Sequence, residues 1–295
     1  MTFSRRRLFA RMVRFVARLA AVITVSLPLA GYASIEALFA PKSDLWAHWQ
    51  THDPASSAEI DHEAWGRLLA AYLRTDGDGL NRFDYGGITT VDRVALGQYI
   101  ATLAGLPIDT YNRAEQLAYW INLYNAVTVQ VVLTHYPVAS IRDIDVSPGL
   151  FSDGPWDRPL LTVAGEALTL NDIEHRILRP IWRDPRIHYA VNCAAVGCPN
   201  LQETPFTAEN ADGLLESAAR TYVNSPRGVR FGRNGLIVSS IYVWFQEDFG
   251  DSDEGVIAHL ERYAEPEISA QIKQARKLAG HAYDWSLNDH RRAGS

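Results

Sequence analysis

Between Arg113 and Leu133 the chain reads RAEQLAYWINLYNAVTVQVVL, and this stretch constrains the fold more than any other. Apolar side chains fall on every side of the helix it predicts, so other elements must wrap that helix all round. Pro137 disfavours helix at the residue before it, so the helix ends ahead of His135-Tyr136-Pro137. Glu115, Gln116, Asn122, Asn125 and Gln130 interrupt the run. A lipid-facing helix does not readily tolerate such side chains, so a core helix is expected and a membrane span is not. Wrapping it takes a large apolar body. Of 295 residues 47% are hydrophobic, with eight Trp, thirteen Tyr and ten Phe, and only 21% are charged. That composition excludes a disordered chain, and two Cys exclude a disulfide-rich miniprotein.

The flanking segments read as helices and short strands. Asp61 caps a helix from Ala64 to Leu73, ended by the turn Thr75-Asp76-Gly77-Asp78-Gly79. Leu80 and Asn81 stand where a calcium loop needs a ligand and a glycine, so that turn is not a calcium site. Another helix covers Val91 to Leu103. Leu160–Val163 and Ala167–Leu170 form one hairpin, and Val229–Phe231 with Leu236–Val238 form a second. Asn171 caps a helix through Leu178, stopped by Pro180. Ile187–Val191 is an apolar run of strand length, and Thr207, Ser240 and Ser252 cap further helices. With no repeat and no linker, residues 34–295 read as a single α+β domain.

Residues 1–33 are a separate object. Six Arg, no acidic residue, an apolar run from Leu19 to Ala30 and the small-residue site Gly31-Tyr32-Ala33 give the order of a secretory signal cleaved near Ala33. Ser4-Arg5-Arg6-Arg7-Leu8-Phe9 approaches the twin-arginine pattern. Left uncleaved, the 17 uncharged residues from Leu19 to Ile35 would be the chain's one contact with a membrane. Without the six Arg, 22 basic residues face 34 acidic ones, a net charge of −12. Such a domain repels phosphate backbones and anionic lipid, which excludes nucleic acid as a partner. An exported, periplasmic or extracellular protein is expected.

The candidate chemistry lies on the central helix and around His188. Glu115 and Asn122, seven residues apart, point within about 20° of each other, and Asn125 lies nearby. Buried polar groups need partners. Either they pin loop backbone or they floor a pocket, and His188 on its expected strand is the titratable group to pair with Glu115. His188, Asn192, Cys193 and Cys198 within eleven residues could support thiolate chemistry. Cys193 and Cys198 could equally be a disulfide or two buried thiols. Cys193, Cys198 and His188 are too few for zinc, and Asp172 with His175 at i,i+3 is a common helix-start pair. No metal and no cofactor is expected.

NRAEQLAYWINLYNAVTVQVVL, LTLNDIEHRILRP, DPRIHYAVNCAAVGCPNL, IYVWFQEDFG and YDWSLN, in that order, resemble the family called domain of unknown function 547 over about residues 80–288. That family occurs in exported bacterial proteins and in plant proteins beside other modules, so the resemblance implies one domain and brings no reaction with it. A buried helix followed by a His-bearing strand is also similar in outline to papain- and transglutaminase-like folds. Those folds put a nucleophilic Cys at the helix start, where this chain has Asn112, Arg113 and Glu115. Two functions remain. One is a non-catalytic envelope protein, which the sequence favours slightly, binding a peptide, a glycan or another envelope protein. The other is a hydrolase or transferase-like enzyme using Glu115, Asn122, His188 and Cys198.

Overall fold

The apolar helix forms over Arg113–His135 and 17 of its 23 residues are buried. Asn112 starts it by accepting the Ala114 and Glu115 N–H groups at 3.0 Å each, which covers two of the donors a helix leaves open. The computed structural model describes residues 40–148, 154–275 and 277–292. The expected signal peptide, residues 1–33, lies outside the described residues.

In chain order, a 3-10 turn at Ala47–Gln50 sets Trp49 edge-on against Trp120, with ring centroids 5.0 Å apart. Helix α1 (Glu63–Tyr72) runs into β1 (Leu73–Thr75), which pairs antiparallel with β2 (Asn81–Phe83). Helix α2 (Thr90–Ala104), capped by the Thr89 hydroxyl, packs on the central helix α3 (Arg113–His135). Strands β3 (Leu161–Val163) and β4 (Glu166–Leu168) form a hairpin whose turn residues Ala164 and Gly165 both have positive φ, 48° and 85°. That turn matches the twist of paired strands. A π-helical turn, Asp172–Leu178, leads into α4 (Arg179–Trp182) and a 3-10 turn, Pro185–Tyr189. Then come α5 (Ala211–Val223), the hairpin of β5 (Val229–Gly232) and β6 (Gly235–Ser239), and α6 (Ile241–Trp244). A 3-10 turn at Gln246–Phe249, α7 (Asp253–Tyr263) and α8 (Pro266–Ile272) precede β7 (Gly280–Ala282), which joins β6 in parallel. The fold class is α+β.

Among the described residues the buried hydrophobic side chains form two groups. The larger surrounds α3. The smaller gathers Tyr189, Tyr222, Tyr242, Phe249 and Tyr263 with apolar residues of α5, β6 and α7.

Four expectations are corrected. Ile187–Val191 is not a strand, because Pro185–Tyr189 winds into a 3-10 turn, and the Asn125 side chain takes the backbone just beyond it. Asn171 is not the cap of its helix; it is already helical, and Thr169 does the capping. The Thr169 hydroxyl accepts the Asp172 N–H at 2.9 Å while the Asp172 carboxylate accepts the Thr169 N–H at 3.0 Å. Nor does Pro180 stop the helix. The Arg176 carbonyl, which a proline N cannot reach with a hydrogen bond, accepts from Trp46 N–H at 3.0 Å, and the His175 carbonyl accepts from Asp44 N–H at 3.0 Å. Ser240 likewise makes no cap; its hydroxyl meets His281 Nδ1 at 2.7 Å.

The polar face of α3 holds loops in place. Asn122 accepts from the Phe206 N–H at 3.1 Å and donates to its carbonyl at 2.7 Å. One turn on, Asn125 accepts from the Asn192 N–H at 2.8 Å and donates to the Ala190 carbonyl at 2.9 Å. Asn122→Leu keeps the volume and strands two buried backbone groups, so a loss of about 2–4 kcal/mol is expected in urea unfolding. A variant as stable as the parent would show that water replaces the side chain.

Candidate functional site

The π-helical turn carries Glu174 and His175, and its last backbone bond runs from the Arg179 N–H to the Glu174 carbonyl. Such i→i+5 turns often lie at functional sites. Here the turn sets Glu174, His175 and Arg179 against two residues from distant chain, His188 and Asp248. All but Asp248 are buried; its side chain is 20% exposed.

His188 lies flat on Phe245, with centroids 4.5 Å apart and planes at 9°. Its Nε2 is 2.6 Å from Asp248 Oδ2, and its Nδ1 is 3.6 Å from Glu174 Oε1. Arg179 donates through Nε to the same Asp248 oxygen at 2.6 Å and through Nη2 to Glu247 Oε1 at 2.7 Å. Its Nη1 reaches the Pro41 carbonyl at 2.9 Å and His175 Nδ1 at 3.0 Å. The guanidinium also lies 4.8 Å from the Phe245 centroid.

The protonation states follow from these contacts. Burial opposes charge on His188, but hydrogen bonds and attraction from Asp248 and Glu174 outweigh it and raise its pKa. Burial also works against the Asp248 carboxylate, yet His188 and Arg179 hold its pKa down to about 2. Glu174 is buried too, and His175, His188 and Arg179 keep it below the ordinary carboxylate value. His175 goes the other way. Burial lowers its pKa to about 4, and Arg179 and His188 oppose a further positive charge. The cluster therefore gathers the Arg179 guanidinium and a His188 whose protonated form is favoured among the carboxylates of Glu174, Glu247 and Asp248.

Beside it opens a cavity of about 380 Å³. Ser43, Leu45, Arg179, Arg183, Glu247 and Asp248 line most of it, with Pro180 and Asp184 completing the wall.

The residues singled out in the sequence are not brought together. The expected Glu115–His188 pair does not form, because each side chain has closer partners. Glu115 accepts the Ile60 N–H at 3.1 Å, and burial raises its pKa. Asn122 is fully engaged by Phe206. Asp172 and His175 part company, Asp172 bonding Arg176 at 2.9 Å and His175 bonding Arg179. Arg179, Glu247 and Asp248 were missed. Glu174 and Arg179 could have been flagged as charges embedded among Ile173, Ile177 and Leu178. Nothing local tied them to Asp248, 69 residues on.

Cys193 and Cys198 are joined as a disulfide, with Cα atoms 6.3 Å apart. The Tyr283 hydroxyl lies 3.1 Å from each sulfur. Their loop is zipped to the chain's end. Val196 N–H donates to the Ser286 carbonyl and Gly197 N–H to the Asp284 carbonyl, both at 2.8 Å. A β-carbon on Gly197 would sit 2.8 Å from the Asp284 nitrogen, so only glycine allows that approach. Closing so short a loop removes little unfolded-chain entropy. Cys193→Ala/Cys198→Ala should therefore cost only about 2 kcal/mol, read as a modest fall in Tm with the domain still folded.

Comparison with known families places this region. A family model described as "Protein of unknown function, DUF547" matches residues 108–223. The chain resembles that family. The DUF547 match takes in α3, the π-helical turn and the Cys193–Cys198 loop, a shorter span than residues 80–288, and leaves out Asp248 and Tyr283. No curated protein and no solved structure matches the chain, and the outline likeness to papain-like folds gains no support.

Proposed function

We propose that the chain is a non-catalytic binding protein that acts outside the cytoplasm after residues 1–33 are removed, with the cavity beside Arg179 as its ligand site. The arrangement of His188 carries this reading. A general base needs a ring nitrogen free to accept a proton. Both nitrogens of His188 are turned to carboxylates, and the ring is buried under Phe245. Glu115 and Asn122 are committed to backbone, and the two sulfurs are bonded to each other. The groups suited to catalysis are thus used in holding the protein together. The cavity, by contrast, presents charged side chains to solvent, as a site for a small polar ligand requires.

The test exposes the purified chain to mixtures of amino acids, peptides and glycan fragments and follows both binding and new products by NMR. Binding without turnover is the expected result. A product formed by the parent and abolished in His188→Gln would overturn the reading in favour of a hydrolase or transferase.

A further inference from the structure

Arg183 ends α4 in the left-handed region, at φ 51° and ψ 34°, where its N–H closes the last turn on the Arg179 carbonyl at 3.0 Å. Glycine or asparagine is the usual occupant of such a position, because a β-carbon is strained there. The Arg183 side chain gets nothing back from the protein. It is exposed, lines the cavity, and makes no hydrogen bond or ion pair among the described residues. Its neighbour Asp184 does not neutralise it, since both Asp184 oxygens are taken by Arg186 at 2.7–3.1 Å.

The acidic residues that line the cavity have the opposite character. Asp248 Oδ2 receives both His188 and Arg179, and Oδ1 has no hydrogen-bond partner among the described residues. Glu247 Oε1 receives Arg179 and the Ser43 N–H, while among the described residues Oε2 has Lys42 Nζ, 3.9 Å away, as its partner. The lining therefore combines a guanidinium unpaired among the described residues with carboxylate oxygens that have vacant lone pairs.

We propose that this cavity binds a small zwitterion, a free amino acid or a short peptide with both termini free, its carboxylate on Arg183 and its ammonium on Asp248 and Glu247. A guanidinium fork matches a carboxylate, and charge-assisted bonds of this kind are the strong ones. A simple anion would leave the free carboxylate oxygens without a donor, and a simple cation would leave Arg183 without an acceptor. Arg179 is already committed to Glu247 and Asp248, and Asp184 to Arg186, so the groups left to a ligand are Arg183 and the vacant carboxylate oxygens. Those two kinds of group favour a neutral ligand with separated charges over an ion of either sign.

The inference rests on the binding reading above, and its test separates the two. The full chain is titrated by calorimetry with L-alanine, L-alanyl-L-alanine, N-acetyl-L-alanine and L-alaninamide. At least one of the first two binds, which also tells amino acid from peptide. The acetylated and amidated forms, each missing one charge, bind about tenfold more weakly or worse. Arg183→Asn relieves the strained backbone, so it keeps or raises the Tm while losing about tenfold in zwitterion affinity; Arg183→Lys retains part of the binding. If the acetylated or amidated form binds as well as its parent, or Arg183→Asn binds like wild type, the zwitterion site is overturned while the binding reading stands. If none of the four probes binds, the inference is overturned, and the wider ligand screen decides the binding reading by itself.

Discussion

Arg179→Met is expected to destabilise the protein by about 3–5 kcal/mol, seen as a large fall in the urea midpoint with little change in the slope. The side chain of Arg179 is 1% exposed, yet its guanidinium serves Asp248, Glu247, the Pro41 carbonyl and His175 together. Removing it strands partners from three separate stretches of chain. Asp248 keeps only His188, and the Pro41 carbonyl keeps no donor from Arg179. Losing one member of a buried charge group costs far more than the group's net contribution, because the remaining charges stay desolvated. Arg179→Lys preserves the charge and loses the fork, so it should fall between Met and the parent. Combining Arg179→Met with Asp248→Asn should cost less than the sum of the two changes. A loss below about 1 kcal/mol for Arg179→Met would mean that water solvates these groups and the network is not a structural unit.

The parts of this fold that were legible in the sequence are those where burial is decided locally. Arg113–His135 announced itself because apolar side chains fall on every side of it, and such a helix has one place to go. The β3–β4 and β5–β6 hairpins were visible from their turn residues, and α1 from the three- and four-residue steps of its apolar residues. His188 was misplaced for a physical reason. Ile187-His188-Tyr189-Ala190-Val191 is a short apolar run without alternation, and such a run has no period to tell a strand from a tight helical turn. What decides it is the Asn125 side chain seizing the backbone at Ala190 and Asn192, a contact 65–67 residues away.

The candidate site was less legible still. Glu115 and Asn122 were rightly seen to need partners, but a hydrogen-bonding side chain does not reveal whether backbone or another side chain will answer it. Both found backbone. The ion cluster depends on the π-helical turn that brings Glu174 and Arg179 together, and on Asp248, which lies in a short QEDF segment with no helical pattern of its own. Long-range charge pairing leaves no periodic trace in a single sequence.

Acid should unfold this protein well above the pH at which its carboxylates protonate. Three buried or half-buried imidazoles have pKa values lowered from 6.5 to about 4: His62, His175 and His259. Burial is the leading cause at each, and the neighbours explain why a proton is resisted. His62 Nδ1 meets the Tyr99 hydroxyl at 2.7 Å, and its buried Nε2 has no acceptor among the described residues, although Asp61 nearby favours charge. His175 Nδ1 receives an Arg179 N–H and so must stay an acceptor; Glu174 and Asp248 favour its proton, while Arg179 and His188 oppose it. His259 lies 2.7 Å from the Tyr189 hydroxyl, with Arg262 and His188 disfavouring its charge and Asp184 favouring it. The unfolded chain therefore binds more protons than the folded one between pH 6.5 and about 4, and stability falls as pH falls through that window. Each imidazole contributes about 1.4 kcal/mol per pH unit, or about 4 kcal/mol per unit for the three together at the steepest point. His188, with its raised pKa, acts in the opposite direction. Its contribution is complete below pH 6.5 and is lost as pH rises through the folded value, which sets a shallow decline on the alkaline side. Glu174 and Asp248 weaken the fold only at lower pH, as they protonate toward about 2. Urea midpoints measured from pH 8 down to pH 4 should thus peak near neutrality and drop steeply below pH 6.5. His62→Gln and His259→Gln should each remove about one proton from the slope. A profile flat between pH 6.5 and 4.5 would show that these rings stay protonated in the fold and that burial does not govern them.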